Sequence, residues 1–366
     1  MKLLVQPQDG VLPVIQGINR AKHSVEIVIF RFDHREIERA LAAAVGRGVF
    51  VHALIAYTNR GGERNLRKLE MRLLAAGVTV ARTADDLARY HSKFLIIDRK
   101  ELFVLGYNFT YLDIEHTRSF GIITRTPKLV SEAVRLFEAD TKRQPYTGGQ
   151  PGFVVSPVNA RNQLAAFIRG ARKQLLIYDP EISDDSMIRI LDERAKAGVE
   201  IRIIGRLPRA SAKLSVRKLG YIRLHTRTLI RDGQQAFIGS QSLREVELAA
   251  RREVGIIFRD KKIVARIMKL FEEDWTASGK QLETSEADME PVAQVAKRVA
   301  KAITKDLPPV TPVLQVIVRE LGGDTAKLDL DPKEVEETVK DAVKEAVRDV
   351  VRDVVGSVVE QDGVPI

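Results

Sequence analysis

Chemistry in this 366-residue chain gathers at two histidines, because His91 and His225 open the same spacing of polar groups twice. The first copy reads His91-Ser92-Lys93-Phe94-Leu95-Ile96-Ile97-Asp98, with Asn108 seventeen positions after the histidine. The second reads His225-Thr226-Arg227-Thr228-Leu229-Ile230-Arg231-Asp232, with Ser242 at the same offset and Glu253 eleven residues further. The chain holds 6 histidines, so two of them heading matched patterns of imidazole, cation and carboxylate point to duplication rather than accident. Paired imidazoles suit a phosphodiester, whose anionic oxygens repel nucleophiles and whose alkoxide leaves poorly. A neutral histidine can attack phosphorus, while a protonated one gives its proton to the departing oxygen and later activates water or an alcohol. Lys93, Asn108, Arg227, Ser240 and Ser242 are the candidates to hold the substrate's non-bridging oxygens as charge develops. No cofactor and no metal ion is required by this chemistry, and no Asp/Glu/His cluster has metal-ligand spacing.

The elements that must carry these residues also occur twice. On a strand, residues two apart share a face, so His91 and Lys93 are expected to point one way, as are His225 and Arg227. Phe94–Ile97 then lies in a sheet, with Asp98 and Asp232 in the turns that follow, a structural role rather than bond breaking. Upstream, helices Val11–Arg20 and Asn159–Arg172 lead into strands Ser24–Phe30 and Gln174–Tyr178. Helices Arg35–Val45 and Ser186–Ala197 end at glycines and lead into strands Val51–Ala56 and Glu200–Ile204. A further helix is expected over Glu63–Ala76 and a shorter one over Ala210–Leu219. Strands Gly121–Thr124 and Gly255–Phe258 precede helices Lys128–Asp140 and Lys262–Trp275. Strand alternating with helix predicts an α/β layer structure in each half, with mixed sheets and a pseudo-two-fold axis that brings both patterns to one cleft.

A Pro/Gly-rich stretch, residues 144–152, joins the halves, which sets three segments: 1–145, 153–280 and an extension over 281–366. The extension carries 11 Lys and Arg against 18 Asp and Glu, a net of −7, which leaves residues 1–280 at +17 within the overall +10. A cationic body suits phosphates on a lipid surface or a nucleic acid. Helices are expected over 291–306, 308–322 and 332–359, the last with a valine stripe that favours packing on the body or on another tail, hence self-association, over membrane contact. With no cysteine, no apolar run near eighteen residues and no leader-like start, the expectation is a cytoplasmic protein with peripheral membrane contact as its nearest approach to lipid.

The two patterns resemble the paired His-x-Lys-x4-Asp-x6-Gly-Ser-x-Asn signature of the phospholipase D superfamily, over roughly residues 10–280. The first motif supplies His91, Lys93, Asp98 and Asn108, with Leu105-Gly106 where Gly-Ser is usual. The second supplies His225, Asp232, Gly239 and Ser240, with Arg227 for lysine and Ser242 for asparagine. The resemblance implies an acidic residue about eleven beyond the asparagine that orients the histidine of the opposite half. That position is Glu253 in the second half and Ser119 in the first. It therefore implies His91 as nucleophile, oriented by Glu253, and His225 as general acid/base with a serine beside it.

Two motifs in one chain further imply a phospholipid substrate, hydrolysed or transferred through a phosphohistidine, in the manner of phospholipase D and cardiolipin synthase-like enzymes. A nuclease acting on DNA or RNA is the alternative, although 6% aromatic content offers few stacking platforms. An inactive phosphate-binding interaction module is a third. Of the other histidines, His23, His34 and His52 read as surface or packing residues, and His116 stands near enough to the first motif to be a cleft candidate. Arg244, Arg251 and Arg252 flank the second motif and are candidates for head-group contact.

Overall fold

In the computed structural model, residues 1–58, 63–207 and 214–278 are described, with the side chains of Glu63 and Arg64 left aside. The first half begins β1 (Lys2–Gln6), α1 (Leu12–Arg20), β2 (Ser24–Ile29), α2 (Arg35–Gly46), β3 (Phe50–Ile55), α3 (Glu63–Ala75) and β4 (Thr79–Arg82). It continues with β5 (Arg89–Tyr90), β6 (Phe94–Ile97), β7 (Glu101–Leu105), α4 (Tyr111–Glu115), β8 (Thr117–Thr124) and α5 (Pro127–Thr141). The second half repeats this order as β9 (Phe153–Ser156), α6 (Ala160–Arg169), β10 (Gln174–Asp179), α7 (Asp185–Lys196), β11 (Glu200–Gly205) and β12 (Ser215–Arg217). It ends with β13 (Arg223–Leu224), β14 (Arg227–Arg231), β15 (Gln235–Gly239), α8 (Glu245–Ala249) and β16 (Arg251–Phe258), then a helix, α9, over residues 261–278.

Local sequence accounts for most of these elements. In α2 the buried residues Ile37, Ala40, Leu41 and Ala44 recur every three or four positions and form one apolar face. Past its end Gly48 adopts φ +82, a left-handed turn that a glycine makes without a side-chain clash, and the chain enters β3. Strands β2 and β10 are buried over almost their whole length, as befits strands covered on both faces.

Each half builds one mixed sheet. The first runs β1-β8-β7-β6-β2-β3-β4, with β2, β3 and β4 parallel and the β2-β6-β7-β8-β1 pairings antiparallel. The second runs β12-β11-β10-β14-β15-β16, with β9 antiparallel to β16. One apolar core lies under the helices of each half alone. A third is common to both halves: Phe94, Val104, Phe120 and Ile122 share it with Tyr178, Ile230, Ile238 and Ile256, joined by Leu136 of α5 and Phe271 of α9. Met1–Gly279 accordingly forms one compact unit. The joining stretch is fastened too, for Tyr146 is buried and its hydroxyl donates to Glu132 at 2.5 Å.

The sequence reading is corrected at three places. Ser215–Arg217, expected within a helix, is instead an edge strand parallel to β11, where the sheet offers it a backbone ladder; residues 208–213 lie outside the described ones. His91-Ser92-Lys93 and His225-Thr226 are not in strands but in short passages between them. Strands β8 and β16 begin four residues earlier than their apolar runs suggest. The helices expected over 291–306, 308–322 and 332–359, with their valine stripe, lie outside the described residues.

Candidate active site

The passages that carry the histidines cross from one sheet to the other. β5 belongs to the second half's sheet, running parallel to β16 with Arg89 opposite Arg251 and Tyr90 opposite Arg252, whereas β6 belongs to the first half's sheet. Between them His91 N–H donates to Arg252 O at 2.8 Å, and Ser92 Oγ donates to the same carbonyl at 3.2 Å. The exchange is reciprocal. β13 pairs parallel with β8, and the N–H groups of His225 and Thr226 donate to Arg118 O at 3.1 and 3.0 Å. Each imidazole is thus anchored beside the residue that precedes Ser119 or Glu253 of the opposite half, which fixes the crossed pairing through the backbone.

His91 Nδ1 lies 2.8 and 2.9 Å from the two carboxylate oxygens of Glu253. Glu253 is fully buried, and the Ser240 hydroxyl also bonds to it. Ser240 bonds to the Val254 backbone as well, so it braces Glu253 and β16. Lys93 Nζ donates to His91 O at 2.6 Å, and Arg227 reproduces that contact with Nη1 to His225 O at 2.7 Å. The larger guanidinium also reaches sideways, its Nε donating to Ser242 Oγ at 3.2 Å. Asn108 donates to Asp113 Oδ2 from its backbone N–H at 3.0 Å and from Nδ2 at 2.6 Å; Ser242 N–H donates to Glu247 at 2.8 Å.

Around His225 the sequence reading missed a carboxylate. Ser119 Oγ stands 3.5 Å from His225 Nδ1, and Asp113 Oδ2 stands 3.7 Å from the same nitrogen. Asp113 lies on the five-residue helix α4, at the place α8 gives to Glu247. Its other oxygen receives Arg223 Nη1 at 3.2 Å. The available signal was the shared offset of 134 positions that relates Asp113 to Glu247 as it relates His91 to His225.

Burial dominates the electrostatics. It holds both imidazoles well below their ordinary value of 6.5, helped for His91 by the charges of Lys93 and Arg227 and for His225 by Arg227, against which Asp113 pulls upward. It also lowers the Lys93 ammonium to about 7 and lifts Glu253 to about 7. For Asp113 burial works upward but is outweighed by His225, the Asn108 hydrogen bonds and Arg223, leaving its carboxyl below the usual value. A buried, uncharged His91 whose Nδ1 faces a carboxylate has its other ring nitrogen available as a nucleophile.

Remaining candidates sit elsewhere. Asp98 accepts from the backbone N–H groups of Lys22, His23 and Ser24, and Asp232 from those of Arg172, Lys173 and Gln174, each at positive φ. His34 is buried and stacked on Tyr111 at 4.1 Å, His52 packs edge-on against Phe137, and His23 and His116 are exposed. Arg252 is buried against Asp140 at 3.2 Å and over Tyr90, so it faces the structure rather than a head group. Arg244 and Arg251 both approach Glu247, at 3.7 and 3.1 Å. Among the described residues no group of three or more His, Cys, Asp or Glu side chains could hold a metal ion.

Comparisons with known proteins bear on the fold and the family. The mitochondrial cardiolipin hydrolase of Danio rerio is 28% identical over 136 residues, 36% of this chain and 59% of that protein, so the chain spans less than two thirds of its length. Polyphosphate kinase from Porphyromonas gingivalis superposes with a TM-score of 0.64 at 20% identity, over 75% of this chain and 50% of that one. Phosphatidylserine synthase from Haemophilus influenzae does so with a TM-score of 0.57 at 11% identity, over 75% and 86%. These structures share the fold. Residues 14–141 and 164–275, one stretch in each half, match the family described as cardiolipin synthase, PLD-like domain, and the chain is a member of that family within the phospholipase D superfamily.

Proposed function

We propose that the chain cleaves a phospholipid phosphodiester in two steps, as a phosphodiesterase or phosphatidyltransferase. The Nε2 lone pair of His91 attacks phosphorus, and the bond to the leaving alkoxide breaks as His225 donates the proton that makes it an alcohol. Water or an acceptor alcohol then attacks the phosphohistidine while His225 takes up its proton, and the P–N bond breaks to restore His91. Lys93 and Arg227 neutralise the charge that collects on the non-bridging oxygens. Asn108 and Ser242 border the site beside them. The observation that carries the reading is the hydrogen-bonded pair of His91 and Glu253 across the two halves. Glu253 orients the ring and stabilises the charge that it acquires on attack.

A lipid substrate is supported by the cardiolipin names of the matched family and of the zebrafish relative. It is also supported by the +17 of residues 1–280, which suits peripheral contact with an anionic membrane surface. The segments 1–145, 153–280 and 281–366 are taken as two halves of one catalytic body and an acidic extension for self-association. Purified protein incubated with a phosphatidyl lipid and a primary alcohol should release the head group and form the phosphatidyl alcohol, and His91→Ala should abolish both. Given a p-nitrophenyl phosphodiester, whose leaving group needs no proton, His225→Asn should accumulate an acid-labile phosphoryl adduct on His91, seen by mass spectrometry of peptides prepared at alkaline pH. An adduct on His225 instead would reverse the two roles, cleavage of single- or double-stranded DNA alone would make the protein a nuclease, and no turnover of either substrate would leave a binding module.

A further inference from the structure

Arg118 and Arg252 hold the same place in the two halves, immediately before Ser119 and Glu253, and their carbonyl oxygens accept the histidine N–H groups. Both side chains are charged yet buried, which requires a partner. In each case that partner is an aspartate on the last helix of the opposite half. Arg118 Nε and Nη2 donate to Asp274 of α9 at 2.9 and 3.0 Å, and Arg252 Nη2 meets Asp140 Oδ1 of α5 at 3.2 Å. A second contact repeats as well. Arg118 Nη1 donates to Gln6 O at 3.4 Å and Arg252 Nη1 to Ser156 O at 3.2 Å, and in the ladders Gln6 lies opposite Ser119 and Ser156 opposite Glu253.

Each histidine therefore hangs at the end of a short chain of bonds: an aspartate carboxylate, a guanidinium, the backbone of the arginine, and the N–H that donates to it. Joining the halves does not need these ion pairs, because the shared apolar core already does so. Burying a charged pair is costly unless its geometry is well satisfied. Both pairs nevertheless stand at the one residue of each half whose carbonyl carries a histidine.

The two chains are unequal. Asp274 also accepts from the Tyr178 hydroxyl at 2.6 Å and from that of Tyr221. In the first half Val28 and Leu87 take the places of those tyrosines, so Asp140 has neither phenol. Arg252 Nε has no hydrogen-bond partner among the described residues. Burial, which Arg252 only partly offsets, raises the Asp140 carboxyl to about 6.

We infer that Asp140 and Asp274 are positioning residues, each acting through one buried arginine on one histidine: Asp140 through Arg252 on His91, and Asp274 through Arg118 on His225. This rests on the two-step phosphodiester reading above. A guanidinium suits the link, because its planar fork is fixed once a carboxylate holds it and it keeps its charge when buried. The nucleophile then has the looser anchor and the general acid the tighter one.

The two chemical steps separate the two aspartates. Propyl p-nitrophenyl phosphate loses its leaving group without a proton, so single-turnover release of p-nitrophenolate reports attack by His91. Decay of the phosphohistidine adduct reports the step that His225 assists. Asp140→Asn should slow release about tenfold and leave decay within about twofold, and Asp274→Asn should do the reverse. Tyr221→Phe loosens Asp274 more gently, should slow decay about threefold with release unchanged, and replaces Asp274→Asn should that variant not fold. Pairs that only brace the fold would slow both steps alike, and that result, or an assigned step left at its wild-type rate, overturns the inference. Should wild type release no p-nitrophenolate, the phosphodiester reading fails separately, and nitrogen-15 NMR of the imidazoles decides the positioning roles. Asp140→Asn must then shift the His91 ring signals and spare those of His225, Asp274→Asn or Tyr221→Phe must do the opposite, and movement of both rings or of neither overturns them.

Discussion

Asp113 and Glu253 show how differently two carboxylates can serve two histidines. Glu253 touches its imidazole at 2.8 Å, whereas Asp113 stands 3.7 Å from His225 and divides itself among Asn108, Arg223 and the ring. Glu253→Gln should lower kcat/KM at least about a hundredfold, because an amide cannot stabilise the charged ring and can hold the wrong tautomer. Asp113 raises the His225 pKa against burial, so Asp113→Asn must move it further down. The alkaline limb of the kcat/KM profile, where His225 loses the proton it has to donate, should then shift to lower pH, with about a tenfold loss at neutral pH. Asp113→Glu should recover part of the shift, and a limb unmoved in Asp113→Asn would exclude the carboxylate from this role. His91, Lys93, His225 and Arg227 were legible from spacing alone, because a duplicated pattern announces itself. Asp113 was not, since it sits in α4, five residues long, where no hydrophobic period can form.

Turns rather than strands carry the two motif aspartates. Asp98 and Asp232 each collect three backbone N–H groups from the chain that leads into β2 or β10. Removing such an acceptor leaves those donors to water, so Asp98→Ala and Asp232→Ala should each lower stability by about 1–3 kcal/mol in urea melts and leave kcat/KM nearly unchanged. Both carboxyls titrate below their ordinary 3.8, because the backbone donors outweigh burial. Their contribution is complete above that value and is lost as pH falls through the depressed folded one. Wild-type and variant stabilities should converge in strongly acidic solution and differ most above pH 4. A gap constant with pH would mean that the charge is not what the turn uses. Helices α2 and α7 and strands β2 and β10 could be read from apolar periodicity. The starts of β8 and β16 could not, because Arg118, Ser119, Arg252 and Glu253 are polar yet buried, and what buries them is the other half.

Neither half closes its own structure. β5 completes the second sheet and β13 the first, the central core draws side chains from both, and buried Arg118 of β8 binds Asp274 of α9 at 2.9 Å. Residues 1–152 expressed alone should therefore not behave as a folded monomer in gel filtration and amide exchange, whereas co-expression with residues 153–278 should yield a one-to-one complex. Two stable, separately folded monomers would contradict the shared core. Two α/β halves were visible in the sequence from the repeated order of elements; their exchange of strands was not, for two-residue strands leave no pattern. The exchange also bears on ancestry. A single half could assemble such a cleft only by pairing with its twin, and every mutation would then strike both histidines together. Tethered in one polypeptide, the copies can differ singly: serine stands at 119 where glutamate stands at 253, and arginine at 227 where lysine stands at 93. One chain leaves the pocket free to be lopsided: a carboxylate holds one imidazole at 2.8 Å, while a hydroxyl at 3.5 Å and a more distant carboxylate at 3.7 Å face the other.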